Sequence, residues 1–189
     1  MKKQHHRTSV HSPEYALLGF LYEQPNHGYN LHRKLVTELG QVWHVSQSQT
    51  YNILKRLESQ GYISSTTQGQ EKLPPRQILQ ITDDGHRRFE EWLRTPSGST
   101  VHATRLEFIT RLYFAQKLFP TMMPTIIDTQ YAEINTALSQ LEADLPTVPP
   151  EQIFNRISLD LRILQLRSVR DWLIGCRKTF KKWGKTRIA

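Results

Sequence analysis

The chain has 189 residues, 38% hydrophobic and 22% charged, with a formal net charge of +8. That length can bury one or two small cores, and a single cysteine, Cys176, excludes an intramolecular disulfide and a cysteine-based zinc site. The basic balance suits an acidic partner such as nucleic acid, yet residues 97–176 carry 7 Lys and Arg against 8 Asp and Glu, so that stretch is not the anion-binding part.

Residues 1–11 read as a disordered N-terminus. MKKQHHRTSV has charges but no apolar run behind them, and YALLGFLY is too short to span a bilayer, so the expectation is a cytoplasmic protein without membrane contact. SPEYALLGFLYEQP predicts a helix with Ser12 as N-cap and Pro13 in its first turn, stopped at Pro25. Leu31, Leu35 and Leu39 recur every fourth residue in a second helix, with Gly40 expected as a left-handed stop. SQSQTYNILKRLESQGYI predicts a third: Ser46 and Gln49 form a capping box, and Gly61 ends it.

YISSTT and RQILQIT then read as two strands joined by a mobile loop, QGQEKLPP. Thr82 caps a further helix with Phe89, Trp92 and Leu93 on one face, and RTPSGS at residues 94–99 marks a domain boundary. Three helices, a two-stranded wing and a closing helix describe a winged helix-turn-helix over residues 12–96, a fold that places its reading helix in the DNA major groove. At 100° per residue the third helix turns Thr50, Leu54 and Leu57 one way and Ser48, Gln49, Asn52, Lys55 and Arg56 the other, with Tyr51 at the edge. Asn and Gln pair with adenine, Lys and Arg with guanine, and Lys72 and Arg76 in the wing suit phosphates. Any surface helix turns polar residues outward; the wing that follows is what favours a reading face.

The segments YALLGFLYEQPNHGYNLHRKL, SQSQTYNILKRLESQGYI and PPRQILQITDDGHRRFEEWL resemble the PadR family of bacterial transcriptional regulators. The likeness runs from about residue 13 to 95 and more loosely to 180. It implies a homodimeric repressor or activator bound to double-stranded DNA, often relieved by a small molecule. The candidate DNA-contacting set is Tyr29, Ser46, Gln47, Ser48, Gln49, Tyr51, Asn52, Lys55, Arg56, Lys72 and Arg76. One departure stands out: Ile78 and Leu79 occupy wing positions where the family commonly shows an aromatic residue. Trp92, beside the boundary, is the candidate stacking partner of a flat effector, against the alternative of a plain core tryptophan packed on Phe89.

Residues 97–176 read as a helical dimerisation domain, so the fold class is mainly α. Leu106, Ile109 and Tyr113 share a helix face before Pro120. Ile127, Tyr131, Ile134, Leu138, Leu141 and Leu145 are spaced 4, 3, 4, 3, 4, the heptad pattern of a coiled-coil seam and the candidate dimer interface. After PTVPP, a last helix carries two apolar stripes, one through Ile153, Ile157, Leu161 and Leu164, the other through Leu159, Ile163 and Leu166. Two stripes need two partners: the preceding helix and a second subunit, with an ordinary hairpin as the alternative. Residues 177–189 form a basic tail that either grips DNA backbone or anionic lipid or is a solvated terminus. His27 and His32 are five apart, and no carboxylate or cysteine completes a ligand set, so neither metal nor cofactor is expected. Phosphate-loop, nucleophile-elbow and zinc-protease motifs are absent, which disfavours an enzyme. A protein-interaction adaptor built on the winged fold remains the alternative to a DNA-binding regulator.

Overall fold

The computed structural model describes residues 12–70 and 73–186, with side chains described outside 68–76 and 181–186. These residues form two compact units: the first runs up to Thr95 and takes in Ile109–Phe114, and the second comprises Pro96–Phe108 and the chain from Ala115 onward. Ile109–Phe114, assigned from sequence to the helical domain, thus belongs to the first unit.

The first unit is a winged helix-turn-helix. Helices α1 (Glu14–Glu23), α2 (Gly28–Leu39) and α3 (Gln47–Ser59) are followed by strands β1 (Ile63–Gln70) and β2 (Leu73–Ile81) and by α4 (Asp83–Arg94). Leu17, Leu18, Phe20, Leu31, Leu35, Leu57 and Phe89 are completely or almost completely buried and make the core. Phe114, from the returning segment, joins them edge-on against Phe20 and Phe89. Trp43 donates from Nε1 to Thr110 Oγ1 at 2.8 Å, a buried hydrogen bond across 67 residues.

Several ends differ from expectation. Pro13, not Ser12, is the N-cap of α1, and the Ser12 hydroxyl instead accepts from Arg56. Gly40 is right-handed; a Cβ there would meet the Val36 carbonyl oxygen at 2.2 Å, so glycine serves close approach rather than a left-handed turn. Gly61, at φ +77°, is the left-handed glycine that turns the chain out of α3. The strands run farther than expected, pairing antiparallel from Ile63 with Ile81 out to Gln70 with Leu73 around a bulge near Gln68, through much of the stretch read as a loop. Asn26 adds a short bridge to Leu79, which ties the α1–α2 turn to the wing.

The second unit begins with a short helical turn, α5 (Val101–Ala103), and a π-turn over Thr104–Phe108. Helix α6 (Ile109–Leu118) follows, its first six residues counted with the winged unit. Helices α7 (Met123–Asp144) and α8 (Ile153–Thr186) then pack as an antiparallel hairpin. The heptad residues Ile127, Ile134, Leu138 and Leu141 are buried, with Tyr131 and Leu145 half-buried. Their cover is α8 of the same chain, through Ile163, Leu166, Val169 and Leu173. Ion pairs Arg167–Glu142, at 2.6 Å, and Arg177–Asp128 flank the contact, and the Arg177 guanidinium lies 5.4 Å from the Tyr131 ring centre. The seam assigned to dimerisation therefore closes within the protomer, because heptad spacing identifies an apolar face but not whose helix covers it. Residues 177–186, expected as a separate basic tail, continue α8.

The other α8 stripe is open. Ile153, Phe154, Ile157, Leu161 and Leu164 are each more than half exposed, Phe154 by 83%. No helix among the described residues is long and apolar enough to cross a membrane.

Candidate nucleic-acid interface

Helix α3 is capped locally. The Ser46 hydroxyl accepts from the Gln49 N–H at 3.2 Å while Gln49 Oε1 accepts from the Ser46 N–H at 2.8 Å. Farther along, the Thr50 hydroxyl donates to the Ser46 carbonyl, leaving its oxygen to accept from His32 Nδ1 at 2.9 Å. The reciprocal cap engages the Gln49 oxygen with the start of α3, so a bidentate pairing of Gln49 with adenine would compete with the cap.

Arg56 is diverted as well. Its Nη2 donates to Glu14 Oε2 at 2.9 Å and to the Ser12 hydroxyl at 3.1 Å, so it faces the fold rather than a ligand. Arg88, on α4, donates to the other Glu14 oxygen at 2.7 Å. Burial works against the Arg88 charge, but the hydrogen bond to Glu14 and the nearby Tyr15, Glu14 and Tyr62 outweigh it and push its pKa up.

What remains on the outer face is Gln47, Ser48, Tyr51, Asn52 and Lys55, all exposed. Ser48, Asn52 and Lys55 recur at intervals of four and three, one stripe of the helix, and their side chains form no hydrogen bond or ion pair among the described residues. Asn52 and Lys55, with Tyr51, border an open groove also lined by His27, Gly28, Tyr29 and Asn30 at the start of α2 and by Thr67 and Gln77 in the wing. The Tyr51 ring rests against Gly28: a Cβ on that glycine would stand 3.0 Å from Tyr51 Cε1. His27 Nδ1 donates to the Gln77 carbonyl at 2.8 Å and holds the start of α2 to β2. Sequence reasoning missed His27 and Gln77 as groove residues, since fifty positions separate them and no periodicity links them. Glu58, one turn beyond Lys55, adds a carboxylate to the same groove. Lys72 lies outside the described residues, as does the side chain of Arg76.

Trp92 is a core residue. The residue is 8% exposed, and its ring stacks on Tyr15 at 4.6 Å with planes 5° apart and carries the Arg111 guanidinium 4.7 Å from its centre. Arg111 Nε also donates to the Trp92 carbonyl at 3.0 Å. Stacked on Tyr15 and against Arg111, with Phe89 5.7 Å away, the ring fits the plain core tryptophan better than the effector seat.

Residues 17–91 match the family described as the transcriptional regulator PadR-like family. Over 131 residues the chain is 30% identical to the negative transcriptional regulator PadR of Bacillus subtilis, covering 68% of this chain and 70% of that one. It is 29% identical over 86 residues to a probable transcriptional regulator of Mycobacterium tuberculosis, 46% of each chain. Among solved structures, Bacillus subtilis PadR in complex with operator DNA aligns at 25% identity over 88% of this chain and 98% of that one, with a TM-score of 0.42. The same regulator in complex with p-coumaric acid aligns at 23% identity over 93% and 99%, with a TM-score of 0.41.

Proposed function

Because this chain belongs to the PadR-like family, whose members are transcriptional regulators and not enzymes, we propose that it is a repressor whose α3 reads a pseudo-palindromic operator in double-stranded DNA. The observation that carries this reading is the exposed stripe Ser48, Asn52 and Lys55, whose side chains have no hydrogen-bond or ion-pair partner among the described residues, with Asn52 and Lys55 lining a groove that the wing also lines. Asn52 has the donor and acceptor pair that matches an adenine edge, and Lys55 suits guanine or phosphate. Gln47 and Ser48, in the first turn of α3, and Tyr29 and Tyr51, across the groove, suit the sugar-phosphate track. Arg56 and the Gln49 oxygen drop out of the reading set, for they already have partners in the fold.

A single winged unit reads few base pairs, so discrimination against genomic competitors calls for two copies on one frame. The surface that supports pairing is the open α8 stripe of Ile153, Phe154, Ile157, Leu161 and Leu164, since α8 covers the α7 seam. A mobility-shift titration with DNA from upstream of the protein's own gene, against a shuffled duplex, tests the reading. Preference for the native duplex by at least about a thousandfold is the expected result. Equal binding of the two duplexes would instead favour the adaptor. Small planar aromatic acids, such as the p-coumaric acid in the complex of the Bacillus regulator, are the first compounds to test for release of the DNA.

A further inference from the structure

Glu14 is the most deeply buried carboxylate among the described residues of the winged unit, 1% exposed, and it sits in the first turn of α1. Two guanidiniums from different helices meet it, Arg56 of α3 on Oε2 and Arg88 of α4 on Oε1. Arg88 is itself fixed: its Nη1 donates to the Tyr62 hydroxyl at 3.2 Å, and its guanidinium lies 4.5 Å from the Tyr62 ring centre and 5.3 Å from that of Tyr15. Tyr62 in turn follows the Gly61 turn that ends α3, and its N–H donates to the Leu57 carbonyl. One carboxylate thus ties the last turns of α3 to α1 and α4.

Elsewhere α3 meets the core through apolar Ile53, Leu54 and Leu57 and through a side-chain hydrogen bond, buried Thr50 to His32 of α2 in the helix's first turn, which leaves the Glu14 tether as the charged contact at its last turn. Apolar burial is non-directional and tolerates sliding or rotation of a helix, whereas a charge-assisted hydrogen bond fixes direction. Arg56 is one turn beyond Asn52 on the same flank of α3, so the tether acts on the turn next to the proposed reading residue. We propose that Glu14, acting through Arg56, is a positioning residue that sets the rotation of α3 and thereby the sequence discrimination of the proposed DNA reader; the discrimination rests on that reading, the tether does not.

The test uses the full chain and four variants, Glu14→Gln, Arg56→Met, their double, and Arg88→Met, which removes a half-buried charge at Glu14 without cutting the α3 arm. Each is titrated with native and shuffled duplexes over a salt series, and amide hydrogen exchange of α3 is followed without DNA. Glu14→Gln and Arg56→Met are each expected to lower the native-to-shuffled ratio about tenfold, the scale of one mismatched base pair. The double should be no worse than either single change, because both cut one tether. Salt slope and shuffled-duplex affinity should stay at the wild-type values, and exchange should quicken in α3 but not in α2. Arg88→Met should lower thermal stability with a smaller change in the ratio.

Unchanged α3 exchange in folded Glu14→Gln overturns the tether. So does a fall in salt slope of about one for Arg56→Met together with tighter binding by Glu14→Gln, the pattern of a direct phosphate contact. Should Glu14→Gln fail to fold, Arg56→Lys keeps the idea exposed, for it retains a cation at Glu14 and must retain discrimination. A wild-type protein that shows no DNA preference while Glu14→Gln still quickens α3 exchange would remove the DNA reading and leave the tether standing.

Discussion

The two units leave opposite kinds of surface unfinished. In the winged unit the core is closed, the polar ends of α3 are capped from within, and the uncommitted stripe is polar: Ser48, Asn52 and Lys55. In the helical unit one stripe of α8 is buried on α7 and the other, from Ile153 to Leu164, stands open and apolar. A polar stripe beside a wing is suited to a charged, hydrogen-bonding ligand; an apolar stripe is suited to another apolar surface. That contrast matches the proposed division of labour, with the helical hairpin pairing protomers and the winged unit contacting DNA.

The sharpest way to break that comparison is to charge the two stripes of the helical unit separately. Leu138→Asp places a carboxylate in the buried α7–α8 contact, and its cost of several kcal/mol should melt the hairpin. Ile157→Asp, on the open stripe, should leave the protomer folded by circular dichroism yet shift it to monomer by sedimentation. Operator affinity should then fall by about a hundredfold or more, as the second half-site no longer adds to the first. An Ile157→Asp dimer with normal affinity would take α8 out of the interface.

Next in size are changes to the polar stripe. Asn52→Ala should cost about 1 to 3 kcal/mol on the native operator and little on shuffled DNA. Lys55→Ala is expected to weaken both and to lower the salt slope by roughly one if it meets phosphate. Parallel losses on both duplexes for Asn52→Ala, measured by titration at one salt concentration, would make it a backbone contact instead.

Local chemistry made part of this arrangement legible. Ser46 and Gln49 are three residues apart, so the capping box that starts α3 is written in adjacent sequence and stands as read. Thr82 likewise caps α4 through Gly85 N. What escaped were choices among distant partners. Helical phase turns Arg56 outward, but Glu14, 42 residues away, draws its guanidinium to the fold. Heptad spacing marks Leu138 as a knob without saying that Ile163 and Leu166 of the same chain supply the cover. For Trp92 the sequence offered Phe89 as a packing partner but not Tyr15, which stacks on it from the start of α1. Thr110 and Phe114 return to the first core from beyond the boundary stretch, and no Pro or Gly signal announces such a return.

A smaller effect separates fold from function within the winged unit. Gly28→Ala replaces a flexible residue at the start of α2, which by itself should raise stability by about 0.4 to 1 kcal/mol. The new methyl meets the Tyr51 ring at 3.0 Å, and a ring on an exposed side chain can swing aside. Thermal melting should therefore be unchanged or higher while operator affinity drops, Tyr51 having moved from the groove wall. A loss of stability and affinity together would mean that Tyr51 cannot yield and that Gly28 serves packing alone.

The smallest expected effect concerns Glu58, the carboxylate one turn past Lys55 in the same groove. Phosphate running along that groove is repelled by it, and the repulsion carries no sequence information. Glu58→Gln keeps the shape of the side chain and removes the charge. Binding to native and shuffled duplexes should strengthen together, by a few tenths of a kcal/mol at low ionic strength, on the scale of a single exposed charge interaction. At about 0.15 M salt, where the screening length is about 8 Å, the gain should shrink toward zero. The native-to-shuffled ratio should stay constant throughout, in contrast to the Asn52 change. If Glu58→Gln alters the ratio instead, the carboxylate accepts a hydrogen bond from a base, and the reading stripe extends a full turn farther along α3 than its uncommitted polar residues indicate.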